Sequence, residues 1–289
     1  MTVIFSGSIL ASFGERMEKV GELLKYSFVT RAWLVAVLIA ICAALVGVFL
    51  VLKNYSSLSD GLSHAAFGAA AIAAAFGVFD IGITLPITVI AAVLILKGGR
   101  ERRIMGDAAI AMVSVGALAI GYTVMSLRGG ASNLGGDVCS ALFGSAAILA
   151  IEKWELVAVA VMTVLLIALV IIFRHRLLLV TYDERVADAT GTRSGAYETA
   201  IAIVTAVVIV VGMKLAGALL ISALAIFPAL TAMRMCKSFS RVIATSAVIG
   251  ALCAAFGVLL SMLLDTPIGA TVAAVDMVVF GVVSLVKIS

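Results

Sequence analysis

Charge is what this chain has least of. Charged residues fill 12% of the 289 positions and hydrophobic residues 64%, whereas soluble domains run near half apolar and a quarter charged. The scarcity excludes a soluble globular protein and points to an integral membrane protein. Other absences narrow the class. No ten-residue alternation of apolar and polar positions is present, which excludes a membrane barrel and leaves helices. No GxxxxGK[ST] sequence occurs, so nothing here cradles a nucleotide for hydrolysis. Gly-x-Ser-x-Gly is also missing, along with any other nucleophile–base pattern, which argues against an intramembrane enzyme. The four cysteines form no Cys-x-x-Cys pair. Cys42 and Cys253 lie in apolar runs and read as small hydrophobes rather than a zinc or disulfide framework. No cleavable signal peptide is evident at the N-terminus. The net charge of +4 does not indicate nucleic acid, because the basic residues cluster in loops, where they set membrane orientation. A membrane chain without its own ATPase either uses an ion gradient or takes its energy from a partner.

What is present is a series of runs close to the ~20 apolar residues that a helix needs to cross the hydrocarbon. They fall at about 31–52, 57–77, 83–96, 107–127, 154–173, 197–212, 215–233, 242–264 and 270–286. Residues 1–29 read as an amphipathic extension lying at the interface, and 30–289 as one transmembrane domain. Between them, 139–151 is apolar but short, and reads as a re-entrant or surface helix. The expectation is an all-α polytopic protein of eight or nine spans. Arg174–Arg176 is expected to end its span, Lys214 to sit in a turn, and Pro228 to kink its helix or mark a junction. Lys97–Arg103, Arg174–Arg193 and Arg234–Arg241 are basic and belong inside. The same count places the N-terminus outside, against its own Arg16, Lys19, Lys25 and Arg31.

One run carries chemistry. In 57–77 stand Asp60 and His64, the latter one of only two histidines in the chain. The i, i+4 spacing puts both side chains on one helix face. An ionisable pair in an apolar span is a functional-site hypothesis, and carboxylate with imidazole is a ligand set for a divalent metal. A hydrogen bond at a helix start near the membrane surface is the other reading. The longest polar insert of the second half is 181–194, TYDERVADATGTRS. Asp276 stands alone in the middle of ATVAAVDMVVFG, either as a second polar group in a pathway or as a partner for another helix. His175, between two arginines, reads as interfacial.

Taken together, several stretches resemble the membrane permease subunits of ABC transporters for zinc, manganese and iron. YSFVTRAWLVAVLIAICAALVGVFLVLKNYSSLSDGLSHAAFG is similar to that family's opening, with Ser59-Asp60-Gly61-Leu62-Ser63-His64-Ala65 standing for its Gly-Asp-x-Leu-Ser-His-Ala signature. ALFGSAAILAIEKWEL, YDERVADATG, LAGALLISALAIFPALTAMRM and DTPIGATV resemble four further blocks, so the likeness runs from about Tyr26 to the C-terminus. The chain departs in having Ser59 where the family has Gly and no Pro before Gly68.

The resemblance implies a vitamin B12-type (type II) importer permease fold in the cytoplasmic membrane. It also implies a homodimer around one axis, two ATP-binding subunits inside and an extracytoplasmic metal-binding protein outside. The transported divalent metal ion is cargo, and no permanently bound cofactor is expected. Asp60 and His64 become metal ligands of the path, doubled by the second copy. Gly61, Ala65 and Gly68 would let helices approach closely. The stretch from Asp183 to Gly191 becomes a short amphipathic helix that docks the ATPase, with Val186, Ala187 and Ala189 entering its groove and Asp183, Glu184 and Arg185 at the rim. A permease for haem, siderophore or cobalamin and an ion-coupled secondary transporter remain the alternatives.

Overall fold

The computed structural model describes residues 21–22, 25–75, 81–101, 106–128 and 151–288. Most of the N-terminal extension, residues 77–80 of the expected Gly77–Gly82 turn and all but Ile151 of the short apolar segment at 139–151 lie outside the described residues, as do parts of the 97–103 loop; residues 81 and 82 already belong to a helix. What is described is helical: α1 (Ser27–Leu52), α2 (Ser56–Ala75), α3 (Ile81–Glu101), α4 (Gly106–Arg128), α5 (Lys153–Tyr182), α6 (Glu184–Ala189), α7 (Ser194–Ala216), α8 (Ala218–Met235), α9 (Phe239–Leu264) and α10 (Ile268–Ile288). Six of them, α1, α5 and α7 to α10, are long and apolar enough to cross a membrane, and α3 and α4 carry shorter apolar stretches, Gly82–Ile95 and Ala108–Val124. α2 is twenty residues long, but its serines, Asp60 and His64 dilute its apolarity.

Helix boundaries follow local chemistry. α5 starts where Glu152 and Glu155 form a reciprocal capping box, and the Trp154 indole donates to Glu152 at 2.7 Å. It does not stop at Arg174–Arg176 but runs 30 residues to Tyr182. A basic cluster marks where hydrocarbon ends, and nothing in it breaks a helix. Lys214 is likewise helical. The break falls at Gly217, whose φ of 96° is open to glycine and costly for other residues. Pro228 lies inside α8, which continues on both sides of it.

α1 is the central element. It is buried along most of its length and packs against α5, α7, α8 and α9. The crossing with α8 is close: a Cβ at Gly47 would overlap the Ala225 backbone carbonyl. The Trp33 indole donates to the Ala255 carbonyl at 3.1 Å and the Ser246 hydroxyl to the Ala44 carbonyl at 3.1 Å, pinning α9 to α1. Two of α1's neighbours show its direction. At one end the Arg31 guanidinium donates to the Ile151 carbonyl just before α5. At the other, the Lys53 ammonium pairs with Glu184 just after α5. α1 and α5 are therefore parallel. α7 returns, and its Lys214 meets Glu155 at the start of α5 at 3.8 Å. The α8–α9 turn packs beside the end of α1, with Phe239 edge-on to Phe49 at 6.0 Å. Thus Lys53, α6 and the α8–α9 turn share one face, along with most of the cations, while Arg31 lies on the other.

The Gly47 crossing yields a stability prediction. Gly47→Ala should destabilise the fold by about 3 kcal/mol, the upper part of the usual overpacking range, because backbone blocks the new methyl. Thermal unfolding in detergent checks it against Gly116→Ala, where nothing lies within 4 Å. Equal melting temperatures for the two variants would contradict the close crossing.

Candidate functional site

α2 positions Asp60 and His64 one turn apart, a full turn inside the helix rather than at its cap. The His64 Nε2 lies 3.5 Å from Asp60 Oδ2, with the Asp60 side chain 51% exposed and the imidazole 18%. The other ring nitrogen, Nδ1, is buried with no hydrogen-bond partner among the described residues. Ser63, on the flank of α2 beside Asp60, ties the helix down. Its hydroxyl donates to the Asp60 main-chain carbonyl at 2.8 Å and meets the Ser222 hydroxyl of α8 at 3.2 Å. The pair is thus held from behind and open in front.

The open face is set by how α2 packs on α4. A Cβ on Gly61 would come within 2.6 Å of Ile110, and one on Gly68 within 2.6 Å of the Ala117 carbonyl. The small residues do permit a close approach, but to a helix of the same chain. Gly61 and Ala65 are buried, and the exposed Asp60 lies about 100° around α2 from Gly61. Asp60 and His64 supply one carboxylate and one imidazole. Among the described residues no group of three or more His, Cys, Asp or Glu side chains converges anywhere. One chain therefore offers an incomplete ligand set, since tetrahedral sites take four donors.

The polar insert folds as a cap, a helix and a reversal. The Asp183 carboxylate accepts from the amides of Arg185 at 2.9 Å and Val186 at 3.2 Å, an N-cap that starts α6. Gly191, with φ of 79°, lets the chain turn back, and Asp188 caps the next helix by accepting from the Ser194 amide at 3.0 Å. Ala187 is fully buried against its own chain, so it anchors α6 and does not face outward with Val186. The exposed face consists of Tyr182, Arg185, Val186 and Ala189, with Tyr182 75% exposed. Glu184 is turned toward Lys53 at 3.0 Å.

Asp276 is 1% exposed. α9 and α10 run antiparallel with Gly257 on Val272, and one turn further on the Asp276 carboxylate faces the Cys253 thiol, a weak donor. Neither carboxylate oxygen has a hydrogen-bond partner among the described residues. Asp276 does not join Asp60 and His64. His175 is exposed on α5 and accepts from the Arg174 guanidinium at 3.2 Å.

Residues 25–287 match the model of the ABC 3 transport family. The chain belongs to that family. A membrane protein from the ycf23-apcF intergenic region of Cyanophora paradoxa is 30% identical over 90% of this chain and 85% of its own length. The manganese transport system membrane protein MntC of Halalkalibacterium halodurans is 27% identical, over 90% and 87%. Among solved structures, PsaBC from Streptococcus pneumoniae in complex with Fab superposes with a TM-score of 0.79 at 25% identity, covering 92% of this chain and 95% of that one.

As a member of the ABC 3 transport family the chain is a membrane-embedded transport component, in keeping with the lack of any catalytic constellation in its sequence. Three residues near the site escaped sequence reasoning. Ser222 stands 159 positions from Ser63. Lys53 and Glu198 pair 145 positions apart. The only local signal for either was polarity at the edge of an apolar run.

Proposed function

We propose that this chain is the permease of an ATP-driven importer of a divalent metal ion, manganese, zinc or iron, and that two copies enclose the path. The observation that carries this reading is the half-open Asp60–His64 pair on α2, backed by α8 and facing away from α4. Two copies of α2 across a two-fold axis, the commonest oligomeric arrangement, would supply two carboxylates and two imidazoles. That is a full set for a dehydrated divalent cation, and the cation offsets the cost of holding the carboxylates out of water. A manganese transport protein among the relatives supports this cargo over a bulky chelate.

The remaining assembly follows from the same reading. With α2, α3 and α4 counted beside the six long apolar helices, the described residues would cross the membrane nine times on this reading. The cation-rich Lys53 face is cytoplasmic, and the membrane is the bacterial cytoplasmic membrane. The exposed face of α6, led by Tyr182 and Val186 with Arg185 at the rim, docks one ATP-binding subunit per copy. ATP is hydrolysed there, and an extracytoplasmic binding protein delivers the metal to the opposite face. The permease itself breaks no covalent bond. Its work is to bind, desolvate and release the ion as the two copies move. Asp276 sits apart from this path, buried on α10.

Metal uptake, with protein level measured separately, tests the ligand assignment. Asp60→Ala and His64→Ala should each lower uptake at least tenfold at normal expression, and normal transport by both would sink it. The two-fold path has its own test. In a background without native cysteines, cysteine at Ser56, one turn before Asp60 on the same face of α2, should be bridged between copies by a short bifunctional reagent, while cysteine at Gly61 should not, because Gly61 faces Ile110 of its own chain. Failure at Ser56 together with ready bridging on α10 would move the axis elsewhere.

A further inference from the structure

Lys53 closes α1, and its ammonium is almost out of reach of water, with the side chain 7% exposed. It lies 3.0 Å from Glu184 of α6 and bonds Glu198 of α7 as well. Glu198 is 13% exposed and Glu184 38%. A buried cation with two carboxylates is a costly arrangement that an apolar cluster of the same volume would often match or better. Packing alone does not account for it. What the cluster joins is informative. On one side is α6, which carries the exposed Val186 face. It is fixed to α7 by the Asp188–Ser194 bond and by the Thr192 amide donating to the Ala187 carbonyl at 2.9 Å.

On the other side is a three-residue turn into α2. That turn has little slack. The amides of Lys53, Asn54 and Tyr55 bond back to the carbonyls of Phe49, Val51 and Leu50 at 3.1, 3.1 and 2.8 Å. Asn54 is held at φ of 57°, a region that Asn tolerates better than most residues. The Leu58 amide then bonds the Tyr55 carbonyl at 3.0 Å. Ser56 opens α2, and Asp60 follows about 6 Å along the axis, at the rise of an α-helix.

We propose that Lys53 is a positioning residue that carries movement of α6 into the Asp60–His64 helix, through Glu184 and Glu198 on one side and the bonded turn on the other. This rests on the reading of α6 as the docking element and deepens it. A displacement of α6 by its partner pulls on a charge-assisted contact, which is shorter and stronger than a neutral one. The turn moves with Lys53, and the ligand face of α2 shifts against α4 and α8. Arginine keeps the charge and both contacts. Methionine keeps the bulk and loses the link.

The test uses the complete transporter, permease with its ATP-binding subunits, reconstituted in lipid vesicles with manganese as the probe. Lys53→Met should leave co-purification of the ATPase and its basal ATP hydrolysis unchanged, yet lower the metal moved per ATP at least tenfold. Lys53→Arg should restore that ratio to within about threefold, which a role in folding alone does not predict. Glu184→Gln is the second variant and should give an intermediate loss. The docking reading is tested separately by Val186→Asp, which should abolish co-purification. Undiminished co-purification in Val186→Asp would sink the docking reading and the linkage with it. Co-purification lost there, with a normal metal-to-ATP ratio in both Lys53→Met and Glu184→Gln, would sink the linkage alone.

Discussion

An ion inside a bilayer must be paired, hydrated or neutralised, because hydrocarbon offers it nothing in return for lost water. That constraint orders the few charges this chain contains. Three islands among the described helices meet the constraint differently. Lys53 is paired with Glu184 and Glu198. Among the described residues Asp276 has no hydrogen-bond partner and is 1% exposed. Asp60 and His64 are paired only loosely, at 3.5 Å, and keep an open side. The loosely satisfied island is the one able to exchange a partner for a cargo. The fully paired one suits a mechanical link, since its contacts break only at a cost.

The packing of small residues makes the open island possible. Gly47 lets α8 lie directly on α1, and α8 carries Ser222 to the back of α2. Gly61 and Gly68 let α4 lie against the other side. Between them these contacts hold α2 with Asp60 outward. A methyl group at any of these glycines would separate helices whose only attraction in lipid is close contact and a few hydrogen bonds.

Much of this was legible in the sequence, and the misses have physical causes. Apolar runs located the long helices, because membrane thickness imposes a length. They located the hydrocarbon boundary better than the helix boundary, so α5 was read as ending near Phe173 and in fact continues past the basic cluster to Tyr182. The α7–α8 break was assigned to the charge, Lys214, when the backbone requirement lay at Gly217. Asp60 and His64 were legible because their spacing is local. The inward turn of Ala187 was not, because six residues of helix contain too little pattern to say which side the rest of the chain will cover. The Lys53 cluster was hidden by distance along the chain, 131 and 145 residues.

The central claim is that the metal site is shared between two copies of α2. Metal binding to the purified transporter in lipid nanodiscs tests it most directly, with stoichiometry from equilibrium dialysis and ligand identity from X-ray absorption. The account predicts one tightly held metal per two chains, bound through imidazole nitrogen, with the nitrogen signal lost in His64→Ala. One metal per single chain, or a spectrum unchanged in His64→Ala, would contradict it.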